Sequence, residues 1–377
     1  KTGNMADNIS GKRILVIGTE EFMFPALYIG RKMEKEGAEV RCHSTTRSPI
    51  AVSLEKEYPL HSRYELKSLY DPDRRTFIYD IGKYDKVLIV TDSPEIKESQ
   101  ETLIGADLRS SYSEEDVILL LKDITGLVEP QPAKVREKLI QSGKHYSEML
   151  PVEYVPTDQY MQVYHNALKH YAKPVANAVG MLADKIIENK GKKMVLVSLA
   201  RAGIPIGILV KRYIKFKYGI NVPHYSISII RGRGIDDNAM KYLLEKYRPQ
   251  QILFVDGWIG KGAILNELKK DISAYEGVSA DIAVVADPAN VTELCGTHED
   301  ILIPSSCLNS TVSGLISRTF LRDDIIGRDD FHGAVYYGEL TDSDLSYDFI
   351  ETIEKEFNME NTPDLEKRVE SQGIDEV

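Results

Sequence analysis

Between residues 194 and 286 the chain alternates apolar runs with stretches of helical periodicity. The order is strand 194–200, helix 204–217, strand 224–230, helix 236–248, strand 251–256, helix 262–271 and strand 281–286. That βαβαβ rhythm predicts a parallel, doubly wound α/β sheet, whose strands are apolar because both faces are covered. Ligands of such sheets sit at the carboxyl ends of the strands. Two of those ends run into glycine-bearing loops, where a backbone can approach an anion closely and helix N-terminal N–H groups face it.

The first loop carries Ser198, Ala200, Arg201, Ala202 and Gly203. Small residues leave its N–H groups open, and Arg201 supplies a planar cationic fork suited to pyrophosphate. An ordinary strand-to-helix turn with an exposed arginine is the plainer reading. The second loop opens with Asp256 and continues through Gly257, Trp258, Ile259, Gly260, Lys261, Gly262 and Ala263. A carboxylate there can grip ribose hydroxyls or a magnesium ion (Mg2+), and the glycine-lysine-glycine turn can wrap a terminal phosphate. The plainer reading makes Asp256 a helix cap. Trp258 either stacks on a ligand or seals the helix against the sheet. A Walker A loop is absent, because Lys261 is followed by Gly262. Two such loops in one sheet suit a sugar with a 5′-phosphate and a pyrophosphate. Between them, Arg231 and Arg233 alternate with two glycines ahead of Asp236 and Asp237. This segment reads as a mobile lid that closes on an anion, or as a solvated turn capped by Asp236.

Residues 10–105 read as a smaller Rossmann-like α/β unit, with strands at 13–18, 38–43 and 86–91 and a helix at 25–36. The first turn is not the GxGxxG of a dinucleotide fold. Residues 106–157 read as a polar helical connector and hood, with a helix starting at Ser113. A long helix is expected over 158–189, in a third region running to 350 whose Ser-, Asn- and Gly-rich part after Asp300 covers the site. Residues 354–377 form an acidic tail expected to be frayed. A net charge of −11 disfavours nucleic acid as a general partner. The three cysteines, Cys42, Cys295 and Cys307, are widely spaced, which fits a reducing cytoplasm rather than a disulfide framework. No apolar run is long enough to cross a membrane, and no charged-then-apolar leader is expected.

Pyrophosphate loop, flexible loop and diphosphate-sugar loop stand in the order found in type I phosphoribosyltransferases, which the chain resembles. Four further segments sharpen the resemblance: Ile140-Gln-Ser-Gly-Lys-His-Tyr-Ser-Glu-Met149, Ile303-Pro-Ser-Ser-Cys-Leu-Asn-Ser-Thr-Val-Ser-Gly-Leu-Ile-Ser-Arg-Thr319, Asp330-Phe-His-Gly333 and Thr46-Arg-Ser-Pro49. The first three are similar to the phosphoribosyltransferase-like family of Ter (tellurite-resistance) stress-response operons, over roughly 108–350. The last is similar to the TRSP domain of the same operons. The resemblance implies transfer between phosphoribosyl diphosphate and a base-like acceptor, or the reverse, in making a ribonucleoside-type stress metabolite. It implies Asp256 on ribose or magnesium, residues 259–263 on the 5′-phosphate, Arg201 on pyrophosphate, and Arg231 or Arg233 closing the lid. His145 and Tyr146 would face the base. A homodimer and other enzymes of those operons are the implied protein partners.

One departure matters: most type I members carry two adjacent acids where this chain has Asp256 and Gly257, and a Thr-Gly pair where it has Gly260 and Lys261. Asp236 or Asp237 would have to compensate from the lid. That loss leaves open a non-catalytic sensor of a nucleotide or phosphoribosyl diphosphate. Some members of the family carry a cysteine-protease label. Cys307 with His298 or His332, oriented by Asn309 or Asp330, supplies the residue types of a thiol nucleophile system.

Overall fold

The computed structural model describes residues 9–92, apart from 21, 54–57, 72–73 and 83, and residues 108–359. The chain divides into two compact units, Lys1–Asp107 and Leu108–Val377. The part of the acidic tail from residue 360 onward lies outside the described residues.

The first unit runs β1 (Arg13–Gly18), α1 (Met23–Lys35), β2 (Glu39–Ser44), β3 (Arg63–Lys67), β4 (Arg75–Tyr79) and β5 (Lys86–Val90). β1 is central in a parallel sheet of order β2-β1-β5, while β3 and β4 pair antiparallel apart from it. Period-2 alternation splits β1 between two cores. Ile14 and Val16 pack with Ala26 and Met33 of α1, whereas Leu15 and Ile17 pack with Leu66 and Ile78. In the Thr46-Arg-Ser-Pro49 segment the Arg47 guanidinium donates to buried Glu20 at 2.9 Å, a carboxylate that Arg74 also meets at 3.0 Å.

The second unit holds β6 (Ile118–Leu119), β7 (Lys122–Asp123), α2 (Ala133–Gln141), α3 (Asp158–Lys190), β8 (Val195–Leu199), α4 (Gly203–Tyr218), β9 (His224–Ile227), β10 (Ile229–Ile230), β11 (Gly234–Ile235), α5 (Asp237–Lys246), β12 (Ile252–Trp258), α6 (Ala263–Ile272), β13 (Ile282–Ala286), β14 (Cys295–Thr297), β15 (Gly333–Ala334) and α7 (Ser346–Glu354). Six strands form one parallel sheet in the order β14-β13-β12-β8-β9-β6. The expected α/β architecture, a parallel sheet preceded by a smaller α/β unit, is present. The crossover from β8 through α4 moves to β9, while that from β12 through α6 moves the opposite way to β13. Crossovers of one hand therefore put α4 and α6 on opposite faces. α3, α4 and α7 share a core with Leu196, Leu253, Val255, Ala283 and Val285. α6 buries Leu265, Leu268 and Ile272.

Residues 108–157 hold the helix α2 but are helical only in part. Ser113 opens a turn, its carbonyl accepting from the Asp116 and Val117 N–H groups, and β6 joins the sheet beside β9 as its edge strand. The run 224–230 breaks at Ser228 into β9 and β10, and β10 pairs antiparallel with β11. No helix among the described residues is long and apolar enough to cross a membrane.

Candidate functional site

β8 and β12 are neighbours whose chains leave in opposite directions, so the gap between them is the sheet's topological switch point. Both glycine loops open there. Gly203 is what lets them meet: a Cβ on it would lie 2.5 Å from the Val255 carbonyl oxygen and 3.2 Å from the Asp256 Cα. Only a residue without a side chain brings the start of α4 against the end of β12.

Asp256 ends the buried stretch of β12. Its carboxylate accepts from the Gly257 N–H at 2.7 Å, and no cation is paired with it among the described residues. Burial pushes its pKa up to about 6. The carboxylate is thus held short of solvation and ready for a hydroxyl or a cation. Beyond it, Trp258 is 47% exposed, donates its indole N–H to Asp300 at 3.2 Å, and lies over Gly260, where a Cβ would sit 2.3 Å from the ring. Trp258 therefore seals the glycine turn. The Ile259 N–H is committed to the Ala286 carbonyl of β13, so it leaves the expected phosphate-binding row. The N–H groups of Gly260, Lys261, Gly262 and Ala263 donate to no protein acceptor among the described residues. Gly262 turns in with φ of +71° and caps α6 without a side-chain bond. The first-turn N–H groups of that helix are consequently left open.

The expected lid is a β-hairpin with its turn at 231–233, and it is pinned. The Arg231 N–H donates to Tyr146 Oη at 3.0 Å, and the Arg231 carbonyl accepts from His145 Nε2 at 3.1 Å. His145 and Tyr146 thus hold the lid backbone rather than face a base. Glu267 and Asp271, one turn apart on α6, accept from the Gly232 and Ile235 N–H groups. Arg233 is tied to Glu148 at 2.6 Å. Arg231 remains, lining a cavity of about 520 Å³ with Lys261, Ala263, Asn266, Glu267 and Lys270. Three cations against one carboxylate make this an anion-accepting wall. Neither lid acid substitutes for the missing second carboxylate. Asp236 is buried, caps α5 through the Asn238 and Ala239 N–H groups and accepts from the His332 N–H. Asp237 accepts from Tyr275 Oη.

Across the switch point the Ala200–Arg201 peptide is cis, and the Ala200 N–H is taken by the Ile227 carbonyl. Arg201 is not exposed. Its guanidinium donates to Glu153 at 3.4 Å, to Asn309 Oδ1 at 3.3 Å and to the Ile316 carbonyl at 3.2 Å. The covering segment 303–319 is fastened to the loop through this arginine. Burial draws its pKa below the ordinary arginine value, with Glu153 opposing.

Ser198 faces the core. Its hydroxyl meets His224 Nε2 at 2.7 Å in the core, and His224 Nδ1 meets the Asp116 carbonyl at 2.8 Å. A carbonyl only accepts, so Nδ1 carries the proton and Nε2 accepts from Ser198. Burial holds this imidazole neutral, its pKa lowered to about 3. Ser198→Ala is expected to destabilise the fold by about 1 to 3 kcal/mol, through a buried Nε2 left without a donor. Ligand affinity should stay within twofold of wild type. Denaturant unfolding and calorimetry on the same preparation check both.

The residue types of a thiol nucleophile are present but not assembled around Cys307. His332 Nδ1 is bonded to Ser228 Oγ at 2.8 Å, Asp330 is paired with Lys122, and Asn309 faces Arg201. His298 lies beside a different cysteine, Cys295, at 3.4 Å.

Residues 110–354 match the family described as "Tellurite-like stress resistance cysteine protease StiP", and residues 1–106 match the "TRSP domain C terminus to PRTase_2". A curated relative, "Cysteine protease StiP" of Acinetobacter baylyi, is 36% identical over 265 residues, covering 67% of this chain and 68% of the relative. Among solved structures, a hypothetical protein from Neisseria gonorrhoeae with bound ppGpp aligns at 14% identity and a TM-score of 0.21, over 30% of this chain and 65% of that one. An HGPRT-ase from Leishmania tarentolae in complex with GMP aligns at 15% identity and a TM-score of 0.22, over 42% of this chain and 79% of that one. With a family match over most of the second unit and a relative of that identity, the chain belongs to the StiP family and carries a TRSP domain ahead of it.

Proposed function

We propose that the second unit binds phosphoribosyl diphosphate or a nucleotide across the switch point and transfers the phosphoribosyl group between pyrophosphate and a base-like acceptor. The bond from the anomeric carbon to the pyrophosphate oxygen breaks, and a bond to the acceptor forms. The observation that carries this reading is the unpaired carboxylate of Asp256 standing beside the open N–H row of residues 260–263. A row of unpartnered donors at a helix start suits a phosphate, and a half-desolvated carboxylate suits ribose hydroxyls.

A magnesium ion fits the donor set. Magnesium is commonly held through one or two carboxylates together with the ligand's own oxygens, and Asp256 offers that carboxylate. Such an ion would offset charge building on the departing pyrophosphate. Arg201 is placed by Glu153 and Asn309, so its part is to fix the loop's shape. No general base is evident among the described residues of the two loops, which favours an anionic or pre-activated acceptor.

A second reading has its own support. Arg201 and Arg233 are both neutralised by acids and the lid is pinned, as suits a sensor that binds without turnover. Pyrophosphate release with phosphoribosyl diphosphate, magnesium and a panel of bases separates them. Base-dependent release supports transfer; saturable binding with no release from any base favours the sensor.

Arg231→Ala and Lys261→Ala are each expected to weaken phosphoribosyl diphosphate binding about three- to tenfold and to flatten its dependence on salt. Calorimetry at two ionic strengths checks this. The protease description belongs to the family's name. In this chain Cys307 is partly buried, and His298 and His332 are committed elsewhere.

A further inference from the structure

At the same carboxyl edge of the sheet, beyond the switch point, three side chains converge that the proposed reaction does not use. Asp287 follows β13 directly, Cys295 opens β14, and His298 follows it. The strands are locked in parallel register by Val284 with Cys295 and Ala286 with Thr297, and by the Asp287 N–H donating to the Thr297 carbonyl. One ligand atom from each of the three side chains lies within 4.8 Å of the others.

The three donors lie close enough together to share an ion. His298 Nδ1 meets the Asp287 carbonyl at 2.9 Å; the carbonyl can only accept, so Nδ1 carries the proton and the Nε2 lone pair is free. The Cys295 sulfur lies beside the imidazole, 3.4 Å from Nε2 and 3.7 Å from Nδ1. Two ligands on one tetrahedral zinc ion, at about 2.0 to 2.3 Å from the metal, stand roughly 3.3 to 3.8 Å apart. Backbone support of the other ring nitrogen is the usual setting of a metal-bound histidine. The independent observation is Asp287. This residue is fully buried, and its Oδ2 accepts from the Val291 and Thr292 N–H groups at 2.7 and 2.8 Å. Its Oδ1 is buried with no hydrogen-bond partner. A carboxylate oxygen shut away from water without a donor is costly unless something cationic meets it.

We propose that Asp287, Cys295 and His298 form a binding site for a zinc-class transition-metal ion, through Asp287 Oδ1, the Cys295 thiolate and His298 Nε2. Thiolate and imidazole select against magnesium and calcium, which take oxygen ligands. Three protein ligands leave a fourth position, and exposed His298 gives the ion its way in. The thiol gives up its proton to solvent on binding. A cysteine nucleophile paired with His298 is disfavoured here, because Cys295 is 0% exposed and no substrate carbonyl could reach it.

The test uses the full chain, stripped with chelator and titrated with cobalt(II) followed by zinc. One cobalt per chain is expected, with a near-ultraviolet thiolate charge-transfer band that zinc abolishes. Cys295→Ser should lose that band. His298→Gln, a change at an exposed side chain, should weaken cobalt binding at least tenfold while leaving the metal-free circular dichroism and melting temperature unchanged. Absence of the band in the wild type, or cobalt binding that survives both substitutions undiminished, overturns the proposal.

Discussion

An Asp256→Asn protein should bind phosphoribosyl diphosphate with magnesium at least tenfold more weakly than wild type, yet melt at a higher temperature when free. The two effects share one cause. Burial raises the Asp256 pKa from its ordinary 3.8 to about 6, so folding disfavours the ionised form that the ligand needs. The sign follows from proton linkage. Below the unfolded-state value the group is protonated in both states and costs nothing. Between that value and about 6 the unfolded chain has lost the proton while the folded protein still holds it, so stability falls across that window. It stays at the lower level above that window, where the folded protein carries a buried charge. Asparagine removes that burden, a gain of about 1 to 2 kcal/mol above pH 7, or roughly 2 to 6 °C in Tm. In the wild type, affinity should decline as pH drops below about 6, because protons compete with magnesium and ribose. The share of that pH dependence due to Asp256 should be lost in the variant, leaving only the titration of the ligand's own phosphates. Melting curves and titrations between pH 5 and 8 test both halves.

Gly203→Ala is the second large effect, expected to cost about 1 to 3 kcal/mol of stability and at least tenfold in ligand affinity. Alanine is the better helix former, so propensity alone argues the other way. Sterics decide it: the new methyl would land 2.5 Å from the Val255 carbonyl oxygen, a backbone atom that moves only with β12. Pushing α4 from β12 separates the two loops that would share a ligand. Gly257→Ala is the matched control. A Cβ there meets its nearest atoms at 3.6 to 3.8 Å, ordinary contact distances, and its φ is not positive. That variant should keep stability within about 1 kcal/mol. Denaturant unfolding of the pair, followed by titration, separates loop spacing from a general loss of glycine.

The strands β8, β12 and β13 were legible because unbroken apolar runs leave no other burial solution. The two glycine loops were legible because small residues at strand ends are a local signal. β6 was not: two residues carry no period, and their place in the sheet is fixed by pairing with Tyr225 and Ser226, far along the chain. The lid was read as mobile from its glycines, but Gly232 and Gly234, both at positive φ, equally encode a tight hairpin. What pins it, Glu148, Glu267 and Asp271, is tertiary. The one local hint was the spacing of Glu267 and Asp271, four residues apart on one face of α6. Arg201 was read as a free cation because its partners, Glu153 and Asn309, lie 48 and 108 positions away. Ser198 and His224 are joined across two strands by a hydrogen bond that periodicity cannot register.

The loops after β8 and β12 are proposed to form one site for a doubly phosphorylated ribose. Calorimetric titration of the wild-type chain with phosphoribosyl diphosphate and magnesium tests it most directly. One ligand per chain is expected, bound with micromolar affinity and displaced competitively by a nucleoside monophosphate. No binding of phosphoribosyl diphosphate, with magnesium in excess and the protein folded, would contradict it.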